Sequence, residues 1–246
     1  MIREDYLIGW IKRYIRWLAE ITGLVKTADY EAAARRADLA LRELLGVGGD
    51  SVLALTEGEI LARLTMDTPP SEVLDKCLLV AALLFHLGET AAGRGNTDLA
   101  RDCWLKSLQV VLGTELQRGH VGAEWPDYVP KLAVLRERLR NQPLPPRTEA
   151  AFLIYHEHRG EFDQAENALF RLLEAASAET VPGVVELGRG LYHRLAVLSD
   201  EALLAGNLSR AEIQSGLREL EARRAAAAEP SSSATDTAGR PSPGCR

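Results

Sequence analysis

The sequence predicts an all-α chain of about nine or ten helices, and three observations carry that expectation. Apolar residues recur at helical spacing through most of residues 1–228, glycines and prolines punctuate them as helix turns require, and no run of alternating β-branched residues is bounded by hairpin signals. The 246 residues are 46% hydrophobic and 26% charged, which is enough apolar surface to build a core. Residues 1–228 read as a single helical domain. Residues 229–246, "EPSSSATDTAGRPSPGCR", carry almost no apolar side chains and read as a disordered tail.

The first helix spans residues 2–21. Tyr6, Trp10, Tyr14, Trp17 and Ile21 form one apolar stripe, and Leu7, Ile11, Ile15 and Leu18 form a second beside it. Together the stripes are wider than the roughly 100° that one core face demands, so this helix is expected to pack on two sides or on a partner. A second helix follows Asp29, with Ala33, Ala37 and Ala40 on a small-residue face and Gly46 at its stop. Thr56 and Glu59 have capping-box spacing for a short helix through Leu64. Further helices are expected from Ser71 to about Ala92, from Thr97 to Gly113, across "KLAVLRERLR", and from Thr148 to Gly160. Three more cover "EFDQAENALFRLLEAAS", "VPGVVELGRGLYHRLAVLSDEALLAG" and "NLSRAEIQSGLRELEARRAAAA", the second a helix or a broken helix because of its glycines at 188 and 190. The connection "NQPLPPRTE" is set by its prolines, which remove backbone donors and fix φ.

The stretch from Leu84 to Trp104 has an internal logic. Leu84, Leu87 and Gly88 precede a turn at Gly95, and Ala100 and Trp104 follow it four residues apart. Glycine and alanine let two antiparallel helices approach closely while the leucines and tryptophan fill the space around the contact. This pattern resembles the tetratricopeptide repeat, with Leu84 in place of the usual Trp and Ala91 in place of the usual Tyr. Two weaker echoes are Tyr30 with Ala33, and Phe162, Ala165 and Leu169 after Gly160. Ala33, Ala100 and Ala165 lie more than sixty residues apart, so the resemblance implies an irregular α-solenoid or a helical bundle instead of a tight array. From "MIREDYLIGWI" through "PLPPRT" to about residue 221, the chain also resembles a bacterial family of uncharacterised helical proteins with tetratricopeptide-like segments. That resemblance implies the fold and assigns no functional residues.

Composition excludes several classes of function. With 29 basic and 35 acidic residues the net charge is -6, so no overall cationic field draws the chain to nucleic acid or anionic lipid. No apolar run approaches the roughly 20 residues of a spanning helix, and Glu4 and Asp5 stand where a secretory signal would carry cations. Cys77, Cys103 and Cys245 form no C-x-x-C pair, which points to a reducing compartment and hence the cytoplasm.

No catalytic constellation is visible, and neither a metal nor a cofactor is expected. His156 and His158 are two residues apart and point about 200° from one another on a helix. His86, His120 and His193 have no ligand-motif company, and "GVGGD" and "GRGNTD" match no phosphate-binding pattern. Cys103, next to Trp104, reads as a buried thiol.

The functional expectation is a non-catalytic protein-interaction or scaffolding module whose partner is another protein or itself. A homodimer through Tyr6, Trp10, Tyr14 and Trp17 is one form of this. The alternative is a helical ligand- or peptide-binding regulatory domain. An open groove with aromatic or arginine side chains would favour the first, and a closed apolar cavity with a few polar groups the second.

Overall fold

The computed structural model describes residues 2–66, 68–118 and 125–228, with the side chains of residues 2–11, 70, 71 and 228 outside that description. The segment read as a disordered tail, and His120, also lie outside the described residues. Among the described residues there are twelve helices and no strand. They are α1 (Ile2–Lys26), α2 (Tyr30–Leu45), α3 (Gly49–Ala54), α4 (Glu57–Thr65), α5 (Pro70–Gly93) and α6 (Thr97–Arg118). These are followed by α7 (Leu132–Arg138), α8 (Pro146–Arg159), α9 (Phe162–Ala175), α10 (Val181–Ala196), α11 (Asp200–Ala205) and α12 (Arg210–Ala228).

Local chemistry sets these boundaries. The Asp29 carboxylate accepts from Ala32 N at 3.2 Å to open α2, and Gly46 closes it in the left-handed region at φ 74°, donating to Arg42 O. Thr56 and Glu59 form the reciprocal capping box of α4. Asn96 Oδ1 accepts from Leu99 N at 3.1 Å at the start of α6. Pro146 sits in the first turn of α8, where its missing N–H is no loss, so the helix begins inside the proline-bearing connection.

One short helix, α3, exceeds the sequence expectation, and a second, α11, decides between two readings of it. The six residues of α3 open on glycine, and its side-chain pattern is too brief to show a period. The helix or broken helix expected over 181–206 is two helices, α10 and α11, and the break falls after Ala196 instead of at the glycines 188 and 190. The chain leaves α10 at Val197, and the Ser199 hydroxyl caps α11 by accepting from Ala202 N at 3.2 Å. Conversely, α6 runs straight through Gly113 to Arg118, because an isolated helical glycine weakens a helix without ending it.

The helices, read from sequence as one domain, gather into two compact units, residues 1–159 and residues from Gly160 onward. In unit one α5 is central: α1, α2, α4 and α6 all pack on it. Residues Cys77 to Leu84 are buried without interruption, as expected for a helix covered on every side. Tyr14, Leu18 and Ile21 of α1 and Ala33, Ala37, Ala40 and Leu41 of α2 complete this core. The α1–α2 contact is laced at its surface by Arg13–Glu43 and by Arg36–Glu20 at 2.7 Å, with the Arg36 guanidinium 4.4 Å from the centre of the Trp17 ring. Helices α7 and α8 lie on α6. In unit two α10 packs on α9 and α12 around Ala165, Leu169, Leu191, Tyr192 and Leu220, all fully buried.

One buried base gives unit one a pH dependence. His86 of α5 lies 3.4 Å from Thr22 Oγ1 of α1, and burial holds its pKa below the ordinary histidine value against the pull of Glu89. A base whose folded pKa is depressed binds its proton more tightly in the unfolded chain. Its contribution to stability is therefore present above its ordinary pKa of 6.5 and lost as the pH falls below it. The urea midpoint of unit one is expected to fall between about pH 7 and pH 5, and His86→Gln is expected to flatten that fall.

Candidate interaction groove

The residues of the repeat-like pattern occupy the α5–α6 hairpin. A Cβ at Gly88 would lie 3.1 Å from Ala100 O and against the Trp104 indole, so only glycine admits this approach of the two helices. Leu84 and Ala100 are fully buried, Leu87 and Trp104 are half-buried, and Gly95 turns the chain at φ 77°. The indole Nε1 of Trp104 is buried without a hydrogen-bond partner, and the Arg138 guanidinium stands 5.7 Å from its ring centre. Tyr30, half-buried, packs its ring on Gly93 at the end of α5, and Ala33 beside it is buried. In unit two Gly160 turns the chain at φ 69°, Phe162 packs on Gly206, and Ala165 and Leu169 face the core.

The aromatic residues proposed for an interaction helix separate. Tyr14 is 1% exposed and belongs to the internal core of unit one. Trp17 is half-buried, edge-on to Tyr14 with ring centres 5.2 Å apart. Tyr6 and Trp10 lie on α1, and their side chains are outside the described residues. Ile15, on the second stripe, is 42% exposed.

Cysteine and histidine chemistry is muted. Burial pushes the Cys77 thiol up to about 11 and the Cys103 thiol, further disfavoured by Asp102 and Asp50, up to about 12. Both are protonated at neutral pH and poor nucleophiles. His156 stacks on Phe152 with ring centres 5.7 Å apart, while His158 and His193 are exposed. Among the described residues no group of three His, Cys, Asp or Glu side chains is placed to hold a metal ion.

A groove of about 670 Å³ is formed by α6, the segment 125–133 and α8. Val111 and Glu115 of α6 form one side, Tyr155 and Arg159 of α8 another, and Trp125, Pro126, Pro130 and Lys131 the third. The sequence explains the geometry of that segment. Pro126 opens a turn that Val129 N closes by donating to Pro126 O at 2.9 Å, and no helix starts until Leu132, so its side chains are presented at the surface of α6. Trp125 is fixed from two sides: its Nε1 donates to the Glu115 carboxylate, and the Arg118 guanidinium lies 4.7 Å from its ring centre. Arg159 stands 5.6 Å from the Tyr155 ring centre. Beside this segment the half-buried Tyr128 hydroxyl is pushed up to about 12, by burial and by Asp75. The groove thus combines anchored aromatic rings, two prolines, the cations Lys131 and Arg159, and the carboxylates Glu115 and Asp127.

A second, smaller recess of about 190 Å³ lies between α2, α3, α5 and α6. It is mostly apolar, with Ala34, Leu53, Leu87, Leu99 and Cys103 in its wall and Asp38, Asp50 and Arg94 as charged neighbours.

Sequence reading found neither concavity. It took 125–130 as a connection and noticed the histidines of "YHEHRGE" instead of the flanking Tyr155 and Arg159. A signal was present in "WPDYVP", where two aromatics alternate with two prolines.

Helices packed around α5 and α10, with a groove and a recess in the first unit, define an all-helical protein. Residues 1–225 match a family of unknown function (DUF6483), and the chain belongs to that family. No curated protein and no solved structure matches the chain. Among the described residues no helix is long and apolar enough to cross a membrane.

Proposed function

We propose that this chain is a non-catalytic, bacterial, cytoplasmic protein-interaction module with tetratricopeptide-like helical hairpins, and that it receives a peptide segment of a partner protein in the groove of α6 and α8. One observation carries the reading. The groove holds its aromatic residues in place before any ligand arrives, Trp125 through Glu115 and Arg118, and Tyr155 beside Arg159. Preorganised aromatic and arginine side chains supply contact area at low entropic cost and dominate binding energies at protein interfaces. Lys131 and Arg159 stand with the Glu115 and Asp127 carboxylates in the lining, so the groove suits a segment of mixed charge. The Gly88–Ala100–Trp104 contact supports the repeat-like reading of the scaffold. The two buried, protonated thiols support a reducing compartment and a non-catalytic role.

The reading is tested by panning a display library of unstructured peptides against the full chain and measuring the enriched peptides by fluorescence polarisation. Trp125→Ala and Lys131→Glu are each expected to weaken binding at least tenfold, about 1.4 kcal/mol, with helical content and melting temperature unchanged. Enriched peptides that bind all groove variants equally, or the absence of any enriched peptide, would overturn it. Self-association through α1 is a second form of the module. It rests on Ile15, 42% exposed, since Tyr14 is committed to the core.

A further inference from the structure

The recess between α2, α3, α5 and α6 is not used by the peptide groove, and its lining carries a chemistry of its own. Its volume of about 190 Å³ exceeds that of engineered apolar cavities, about 150 Å³, that stay dry and bind benzene. Leu53 of α3, Leu87 and Ala91 of α5, and Leu99 of α6 supply hydrocarbon, and Ala34 of α2 leaves room where a larger residue would fill the space.

Two polar groups of the wall, Thr90 and Asp38, are already satisfied from within the protein. Thr90 Oγ1 donates to His86 O at 2.7 Å. Asp38 accepts from Gly49 N at 2.8 Å and from Arg42 Nε at 2.7 Å. Although burial works against it, the Arg42 and Gly49 contacts hold the Asp38 carboxyl below its ordinary pKa, so this group stays ionised and paired. Cys103, 2% exposed, contributes a neutral thiol that behaves as a small hydrophobe. Thr90, Asp38 and Cys103 therefore call for neither water nor a charged ligand group, and Asp50 and Arg94 are exposed. The carboxylates of Asp38 and the exposed Asp50 also disfavour an anion, while the exposed Arg94 disfavours a cation.

We propose that this recess is a binding site for a small uncharged apolar molecule, the size of a substituted aromatic ring or a short aliphatic chain. Occupancy fills space that the side chains of α2, α3, α5 and α6 leave open, so the ligand stabilises unit one by mass action. Neither the peptide groove nor any reaction is involved.

The test uses the full chain and three probes that share a ring: toluene, benzoate and benzylammonium. Toluene is expected to give saturable shifts in the methyl NMR signals of Leu53, Leu87 and Leu99 and to raise the melting temperature. Benzoate and benzylammonium are expected to bind at least tenfold more weakly. Ala34→Leu and Ala91→Leu each fill the recess from a different helix, and either variant, once shown to be folded by its helical spectrum, is expected to weaken toluene binding at least tenfold. Trp125→Ala is expected to leave it unchanged, which separates this site from the groove. The proposal is overturned if the wild-type chain shows no saturable shift at these methyls up to the solubility of toluene. It is also overturned if a folded filling variant binds toluene as the parent does, or if the charged probes bind as well as toluene.

Discussion

Tyr192→Ala is expected to destabilise unit two by about 3–5 kcal/mol, the range for removing a large aromatic from a core. Tyr192 is fully buried on α10 and is the largest side chain in that unit's core. Its ring lies against Gly216 of α12, where a Cβ would fall 3.0 Å from Cε2 and closer still to the hydroxyl. Its hydroxyl donates to Glu166 Oε1 of α9 at 2.5 Å, so one residue joins three helices. Tyr192→Phe separates the two contributions. It keeps the packing and leaves the half-buried Glu166 carboxylate without this donor, for an expected loss of about 1–3 kcal/mol. Burial raises the Glu166 pKa, so the protonated form is favoured in the fold, and its contribution to stability is present below the ordinary glutamate pKa and lost as the pH rises through the raised one. The cost of Tyr192→Phe should accordingly shrink as the pH is lowered and Glu166 takes up its proton. Urea unfolding at two pH values measures both effects; a midpoint for Tyr192→Ala equal to that of the parent would remove Tyr192 from the core.

Ala100→Leu is expected to destabilise unit one by about 1–3 kcal/mol. Ala100 is fully buried, and its own carbonyl lies beneath Gly88, so a branched side chain must open the α5–α6 contact. Intrinsic helix propensity changes little between alanine and leucine, and the same substitution at the exposed Asp98 should shift stability by no more than about 0.5 kcal/mol. Gly88→Ala approaches the same contact from the other helix by pressing on Trp104. The two substitutions share one space, so their effects should not add. A double-mutant cycle in urea that shows simple additivity would mean that the helices do not meet there.

The helical class and most helix boundaries were legible because they depend on short-range chemistry: the Thr56–Glu59 box, the Gly46 stop, the spacing of Tyr14, Leu18 and Ile21. The close approach at Gly88, Ala100 and Trp104 could be anticipated because small and large residues stand at complementary positions around one turn. The division into two units was not legible, since periodicity identifies a buried face and does not name what covers it. A break within 181–206 was legible only as an alternative, and it was looked for at the glycines 188 and 190, whereas the start signal of α11 is Ser199 followed by Asp200 and Glu201. The groove was missed for a related reason. Its residues come from 111–115, 125–133 and 155–159, and only the packing of α8 on α6 brings them together.

The glycines at helix crossings carry a consequence for how this family can diverge. At Gly88, Gly93, Gly188, Gly206 and Gly216 an added Cβ would meet neighbouring side chains well inside van der Waals distance; at Gly188 both Leu169 and Leu220 lie 2.8 Å away. Aliphatic core positions exchange leucine, isoleucine and methionine at modest cost, so drift should erase the hydrophobic signature of the chain faster than its glycines. Members too remote to share a recognisable apolar pattern would then keep these five sites, each changing only together with the side chain that faces it. A paired substitution, such as glycine to alanine at 216 with tyrosine to a smaller residue at 192, is the form in which ancestry would be recorded.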